Sequence, residues 1–537
     1  MATEAEEKGA EAGVRAGVEV EDATKRVMTE IRDKVESAFL GKVEEKEISV
    51  AQEALVIGGG IAGMYAALDI AEAGFKVHLV ERTPSIGGHM AQLDKTFPTL
   101  DCSACILTPR MVDVGAHPNI DLMSYSEVIG VEGSVGNFKV KVLKKARYVD
   151  ENKCTGCSSC ADACRLKNRF TNEIDLGLMK RSAIYRPFPF AIPAIYTVDG
   201  EHCLMITKGK CGKATLESTL EGVKKKERGE EVTKNEVPPC VLACDANAIR
   251  HDMKDEMVEL TVGGIIVATG YDVIDPKVSP EYKYGVYPNV IHGLEFERYS
   301  SASGPTMGKM IINGKEPKDA VFISCVGSRN KQTGYEYCSR VCCMYLAKQA
   351  HLLKEKVPDC NITILYQDVR AFGKGFEEFY DRVKEEGISY RRGLAAEIYQ
   401  KPGSDRVVVR AEDTMLSEPY ELEADLVVLG VGLRPSDGSE KLLKMLGISQ
   451  TVDHFAKEAH PKLRPVDTEV EGIFITGCAQ GPKDIPDSVA QGKAAAGALL
   501  SLLAGGKAKI RPSVSEIEEE TCIGSRTLRE MAEKIGA

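Results

Sequence analysis

A chain of 537 residues, 43% of them apolar, is long enough for several cores, and its 69 basic against 80 acidic residues give a formal charge of −11. No basic stripe offsets that charge, which excludes a nucleic-acid-binding role, and the longest apolar helical stretch, "AAAGALLSLLAG" after Lys493, is too short to span a bilayer. The acidic start "MATEAEEKGAEAG" has no apolar signal region, so the seventeen cysteines read as metal ligands of a cytoplasmic protein rather than as secretory disulfides.

Residues 1–50 form a charged arm in which "DATKRVMTEIRDKVESAFLG" puts Val27, Ile31, Val35 and Phe39 on one helical face. Such a face suits docking on the chain's own core or on a partner. From residue 52, "QEALVIGGGIAGMYAALDIAEAGFKVHLVER" reads as strand, glycine turn, helix and strand, one half of a Rossmann unit. Gly58, Gly60 and Gly63 form G-x-G-x-x-G, Glu81 ends the next strand, and Arg82 and Gly88 follow. The glycines let the backbone approach a pyrophosphate at a helix N-terminus, and the acid can accept from a ribose hydroxyl. FAD and NAD are both open at this step. "GGIIVATGYD", with Gly270, and "GIFITGCAQGPKDIPDSVAQGKAAAGALL", with Gly477, favour FAD, because the latter resembles the flavin-closing element of two-dinucleotide-domain reductases. Cys478 stands there in place of the usual Asp.

The pair Cys102 and Cys105 in "FPTLDCSACILTPRM" suits either a redox disulfide reading out the flavin or half of a cluster completed elsewhere. In "KCTGCSSCADACRLKN", Cys154, Cys157, Cys160 and Cys164 have the x2, x2, x3 spacing that wraps a [4Fe-4S] cube, with Arg165 replacing the usual proline. Zinc and buried free thiols are the alternatives. Cys203, Cys211, Cys240 and Cys244 supply a second, irregular set. Two-cluster ferredoxins exchange the fourth ligand of each motif, so Cys154, Cys157, Cys160 and Cys244 are expected to share one cube and Cys203, Cys211, Cys240 and Cys164 the other. The intervening "ESTLEGVKKKERGEEVTKNEVPP" reads as a solvated loop or exposed helix.

Strands then alternate with helices to about residue 505, giving a doubly wound α/β sheet interrupted by a small domain. Where a nicotinamide-binding fingerprint belongs, "AVFISCVGS" runs into Arg329 and a third cysteine group: Cys325 at a strand end, Cys338, and Cys342 and Cys343 starting a helix. A third [4Fe-4S] cube is the preferred reading, a Cys325–Cys338 disulfide its alternative. Direct NAD(P)H oxidation is not expected. Lys348 and Lys374 are candidates to polarise the reduced flavin, though both read more readily as surface residues. Cys360, Cys478 and Cys522 are read as packing or surface residues.

Taken together, the fingerprint segment, "GGHMAQLDKTFPTLDCSACILTPRM", "CVGSRNKQTGYEYCSRVCCMYLAKQA", "RAFGKGFEEFY" and "GCAQGPKDIPDSVAQGKAAA" closely resemble the A-type subunits of soluble heterodisulfide reductases, across roughly residues 52 to 512. The resemblance implies a thioredoxin-reductase-like α/β flavoprotein with an inserted ferredoxin-like domain. The FAD-binding domain would take 51–148, 256–300 and 436–512, the insertion 149–255, a second Rossmann-like domain 301–435 and a tail 513–537. It implies that Gly58, Gly60, Gly63 and Glu81 hold FAD and that Cys325, Cys338, Cys342 and Cys343 bind a flavin-proximal cluster. The implied activity is flavin-based bifurcation within methanogenesis. In it, electron pairs from a hydrogenase- or formate-dehydrogenase-type donor are split between ferredoxin and, through C- and B-type subunits, the coenzyme M–coenzyme B heterodisulfide. A homodimer within a larger complex is implied too. The sequence departs from the family in lacking the usual cysteine-bearing N-terminal domain and the C-terminal ferredoxin module, which puts unaided bifurcation in doubt. The other readings are a stand-alone flavin disulfide reductase using Cys102 and Cys105, or a relay component of a quinone-linked or acyl-CoA-reducing complex.

Overall fold

The computed structural model describes residues 46–510. The helical arm read at Val27 to Phe39, and Cys522 in the tail, lie outside the described residues. Strand Glu53–Ile57 is apolar with Ala54, Leu55 and Val56 buried, as a strand covered on both faces must be. It lies at the centre of a five-stranded parallel sheet ordered Ile473–Ile475, Gly264–Val267, Glu53–Ile57, Lys76–Glu81, Ile120–Ser124. Helices Ile61–Glu72 and Ile485–Gly505 pack together so closely that a Cβ on Gly492 would meet the Ala62 carbonyl oxygen at 2.6 Å. The second helix is started by Asp484, whose carboxylate accepts from the Asp487 amide at 2.9 Å, with Pro486 in the first turn. A three-stranded antiparallel sheet, Glu256–Val262, Asn137–Lys144 and Ser126–Ser134, packs on this core.

Between Lys144 and Glu256 the chain leaves and returns through an antiparallel bridge between Val149 and Ile249. The segment between contains only short ladders and helices around a small core of Val149, Ile184, Tyr196, Val198, Val237 and Val241. The mixed-charge run contains the helix Leu216–Glu227, whose N-terminus is closed by reciprocal bonds between Thr215 and Ser218. Two side chains tie the segment to the first sheet's surroundings. Gln92 donates to the Ile174 carbonyl at 3.0 Å, and the buried Arg298 guanidinium donates to Asp175 at 2.9 Å and to the Gln92 carbonyl at 3.1 Å.

A second five-stranded parallel sheet runs Val290–His292, Leu426–Val431, Asp319–Val326, Asn361–Tyr366, Ser389–Arg392. Phe296, Phe322, Leu346, Leu353, Phe376 and Phe379 fill the core on one of its sides. A three-stranded meander, Ala395–Gln400, Val407–Asp413 and Glu418–Ala424, covers the other. Two parallel sheets with helices and antiparallel meanders make the chain an α/β protein. Separately, Lys46–Ser49 and Lys507–Ile510 form a two-stranded antiparallel ladder. Among the described residues no helix is long and apolar enough to cross a membrane.

Candidate functional site

A cavity of about 930 Å³ opens at the carboxyl ends of the first sheet's strands, where open α/β sheets place their ligands. Gly58, Gly60, Glu81, Arg82, Gly88, Gly270 and Gly477 line it. Gly63 does not; its role is close packing, since a Cβ there would sit 2.0 Å from the Gly58 carbonyl oxygen. Gly58 has φ +111, and its own Cβ would fall 2.3 Å from the Ala268 carbonyl oxygen. Glu81 accepts from the Gly59 amide at 2.7 Å through one carboxylate oxygen and from the Thr83 amide at 2.8 Å through the other. The acid therefore braces the glycine turn from the ribose end. An elongated cleft with a glycine cradle at a helix N-terminus fits a dinucleotide.

The second sheet closes the cavity from the far side. Helix Cys342–Lys356 turns Tyr345, Lys348 and Gln349 into it, preceded on the same face by Val341. Lys348 is 2% exposed, which corrects its reading as a surface lysine. Its ammonium pairs with Glu297, itself 1% exposed, at 2.7 Å and donates to the Lys95 carbonyl at 2.7 Å. Glu297 also accepts from Gln349 at 2.6 Å and from the Asp94 amide at 3.1 Å, so each side of this buried pair has several partners. Lys374 is exposed and does not line the cavity. His89 stacks on Tyr271 at 4.4 Å between ring centroids, with its nitrogens 2.6 Å from Gln92 Oε1 and 2.7 Å from the Tyr271 carbonyl. Burial opposes charge on His89, but the Asp272 carboxylate, Gln92 and the Tyr271 carbonyl together raise its pKa. Burial likewise works against ionised Asp272, yet His89 and the Asp437 amide hold it down to about 2.

The cysteines fall into three sets. Burial pushes Cys160 up to about 12, and the next contributors are the charges of Cys244, Cys154 and Cys157. Burial and then Cys203, Cys164 and Cys211 push Cys240 well up. In the third set burial and then Cys325, Cys343 and Cys338 push Cys342 well up, and burial takes Cys343 to about 11. All twelve of these thiols are free, so Cys325 and Cys338 are not joined. Thiols packed so that each opposes its neighbours' ionisation are suited to a cationic centre, which reverses that repulsion and deprotonates its ligands. Among the described residues no three His, Cys, Asp or Glu side chains converge on one point as a single ion requires. A cube binds each thiolate to a different iron and holds its four ligands wider apart.

The third set is built on strained backbone. Cys325, Arg329 and Arg340 have φ of 61, 57 and 62, in the left-handed region that side chains rarely adopt. The Arg340 amide donates to Cys338 Sγ at 3.3 Å, and Arg329 forms a two-pronged pair with Asp368 at 2.7 and 3.0 Å. Cys102 and Cys105 form an exposed disulfide with a Cα separation of 5.2 Å, at the start of helix Ser103–Ala116. Neither lines the cavity, although Cys102 is ladder-paired to Lys95, which does.

Sequence reasoning missed Glu297 and His89, and it marked Cys478 only as the residue in place of the usual Asp. Cys478 lines the cavity, with Sγ 3.5 Å from the Lys483 carbonyl, and is not merely a packing residue. Its position after Gly477 was the available signal. Glu297 belongs to no motif, and only folding brings it to Lys348.

The sequence pattern of the NAD(P)-binding Rossmann-like domain matches residues 56–117. The chain is 48% identical to the A-type subunit of the H(2):CoB-CoM heterodisulfide,ferredoxin reductase of Methanothermobacter thermautotrophicus, over 95% of this chain and 73% of that protein. It is 50% identical to the second A-type iron-sulfur subunit of the CoB--CoM heterodisulfide reductase of Methanopyrus kandleri, over the same two shares. Among solved structures, thioredoxin reductase of T. acidophilum aligns at 15% identity and a TM-score of 0.45, covering 84% of this chain and 99% of that one.

Proposed function

The chain belongs to the family of heterodisulfide reductase A-type subunits, is an oxidoreductase component with an electron-transfer role of that type, and on that premise we propose how its residues divide the work. When bound, FAD supplies two-electron exchange and [4Fe-4S] clusters supply one-electron transfer. Gly58, Gly60, Glu81, Arg82, Gly88, Gly270 and Gly477 hold the flavin, and Gly63 keeps the helix packed against the Gly58 turn. Cys154, Cys157, Cys160 and Cys244 hold one cluster, Cys164, Cys203, Cys211 and Cys240 a second, and Cys325, Cys338, Cys342 and Cys343 a third. The observation that carries this reading is helix Cys342–Lys356, which starts with two thiols of the third set and sends Tyr345 and Lys348 into the cavity within two turns. Lys348, fixed by Glu297 and the Lys95 carbonyl, has one further N–H at the cavity wall to donate to an electron-rich ring.

We read 51–148, 256–300 and 436–512 as the flavin domain, 149–255 as a ferredoxin-like relay and 301–435 as a nucleotide domain converted to iron–sulfur use. The donor is a hydrogenase- or formate-dehydrogenase-type partner. B- and C-type subunits carry electrons to the coenzyme M–coenzyme B disulfide, and ferredoxin takes the low-potential branch. The names of the relatives support the heterodisulfide as acceptor and, in the Methanothermobacter protein, hydrogen and ferredoxin as further partners in the reaction. Anaerobic quantitation tests the core of the proposal: about one FAD and roughly twelve iron atoms per chain are expected, at four per cube. About eight iron or fewer overturns the third cluster.

The exposed Cys102–Cys105 disulfide favours a second reading, a flavin disulfide reductase acting alone. It requires Cys102→Ser to abolish thiol–disulfide turnover by the isolated chain while leaving iron unchanged.

A further inference from the structure

His251 is 5% exposed, and neither of its ring nitrogens has a hydrogen-bond partner. Buried polar groups are ordinarily paired, and a dry, unpaired imidazole N–H carries an uncompensated desolvation penalty. An unpaired group of this kind calls for an acceptor. The ring lines a small cavity of about 20 Å³ together with Cys164, Cys203, Cys211 and Cys240, the four thiols of the second set. The rest of the lining is mainly apolar, and Arg165, the one charged side chain there besides, carries donors only, so besides sulfur no side chain of the lining offers an acceptor for the ring's N–H.

We propose that His251 is a positioning residue for the second cluster, donating an N–H to one of its sulfurs and thereby raising that cluster's reduction potential. The inference rests on the assignment of Cys164, Cys203, Cys211 and Cys240 as ligands. An imidazole carries at least one N–H in every protonation state, so the bond does not depend on pH. Hydrogen bonds to cluster sulfur stabilise the more negative, reduced form, because they offset the added electron's charge where no water can. The consequence is directional. Among the described residues no other buried histidine leaves both nitrogens unpaired, so this donor raises the second cluster's potential above the value the same cluster would have without it.

The test uses the full chain purified anaerobically, with iron and sulfide measured before each redox titration followed by EPR. His251→Leu is expected to keep its iron and to move one cluster to lower potential, cutting its reduced-to-oxidised ratio at fixed poise about tenfold, or 59 mV for one electron. His251→Gln, which retains an N–H donor, is expected to recover most of that shift. Unchanged potentials in both variants, with iron intact, overturn the inference and leave the cluster assignment standing. Wild-type protein without iron beyond one cube overturns the assignment itself. Should the leucine variant lose iron, wild-type protein labelled with 15N-histidine decides the matter. Pulsed EPR of the reduced form must then show an imidazole coupling that His251→Gln lacks, and its absence overturns the proposal.

Discussion

The two parallel sheets share strand count and winding, yet the turns after their leading strands carry different chemistry, glycines in one and cysteines in the other. After Glu53–Ile57 the chain turns through Gly58 and Gly60 into a helix whose first amides face the cavity, an arrangement for phosphate. At the end of Asp319–Val326 left-handed Cys325, Gly327 and Arg329 turn the chain, which enters its helix at Cys342 and Cys343. Both turns use a helix N-terminus, where partial positive charge favours phosphate oxygen and thiolate alike. One scaffold therefore supports two anion chemistries, and the side chains of a single turn decide between them.

Substitution on the glycine side has the largest expected effect. Gly63→Ala drives a methyl into the Gly58 carbonyl at 2.0 Å, so bound flavin, read from the absorbance of the isolated protein, should fall by roughly tenfold or more while iron stays near wild type. On the cysteine side, Cys342→Ala should remove about four iron atoms per chain and retain flavin. If either change removes both cofactors equally, the two turns are not separable and the comparison fails. The buried pair spanning the two regions is next. Lys348→Met removes the countercharge of buried Glu297 and leaves it only the Gln349 and Asp94 donors, a loss of about 3–5 kcal/mol by chemical denaturation, and Lys348→Met with Glu297→Gln should recover part of it. Additive losses would mean that the pair does not act as a unit.

These regions were not equally legible from sequence. The glycine turn was readable because strand, glycines, helix and Glu81 lie within about thirty residues, and each has its own signature. The first four cysteines stood out because their iron–sulfur spacing is strict, whereas the second set is irregular, and the proposed exchange of Cys164 and Cys244 rests on motif logic. What sequence hid was distance. Lys348 looked like a surface lysine because its helix has polar residues throughout, and Glu297 can be recognised as its partner only across the folded cavity wall. His251 follows an ordinary "AIR" stretch, and nothing local marks its nitrogens as unpaired.

The smallest expected effect sharpens the glycine side alone. His89 and Asp272 fix the cavity rim beside Gly270, each shifted toward its charged form in the folded chain. A raised histidine stabilises fully below its unfolded value of ~6.5, and its contribution is lost as pH rises through the folded value. A lowered carboxylate stabilises above ~4, and its contribution is lost as pH falls toward about 2. Flavin retention should therefore be greatest from about pH 4 to 6.5 and weaken modestly above it, with iron content flat across that window. His89→Gln should remove the alkaline decline, because the amide keeps a bond to Gln92 or Tyr271 without titrating. An alkaline decline that persists in His89→Gln would assign the pH dependence to another group.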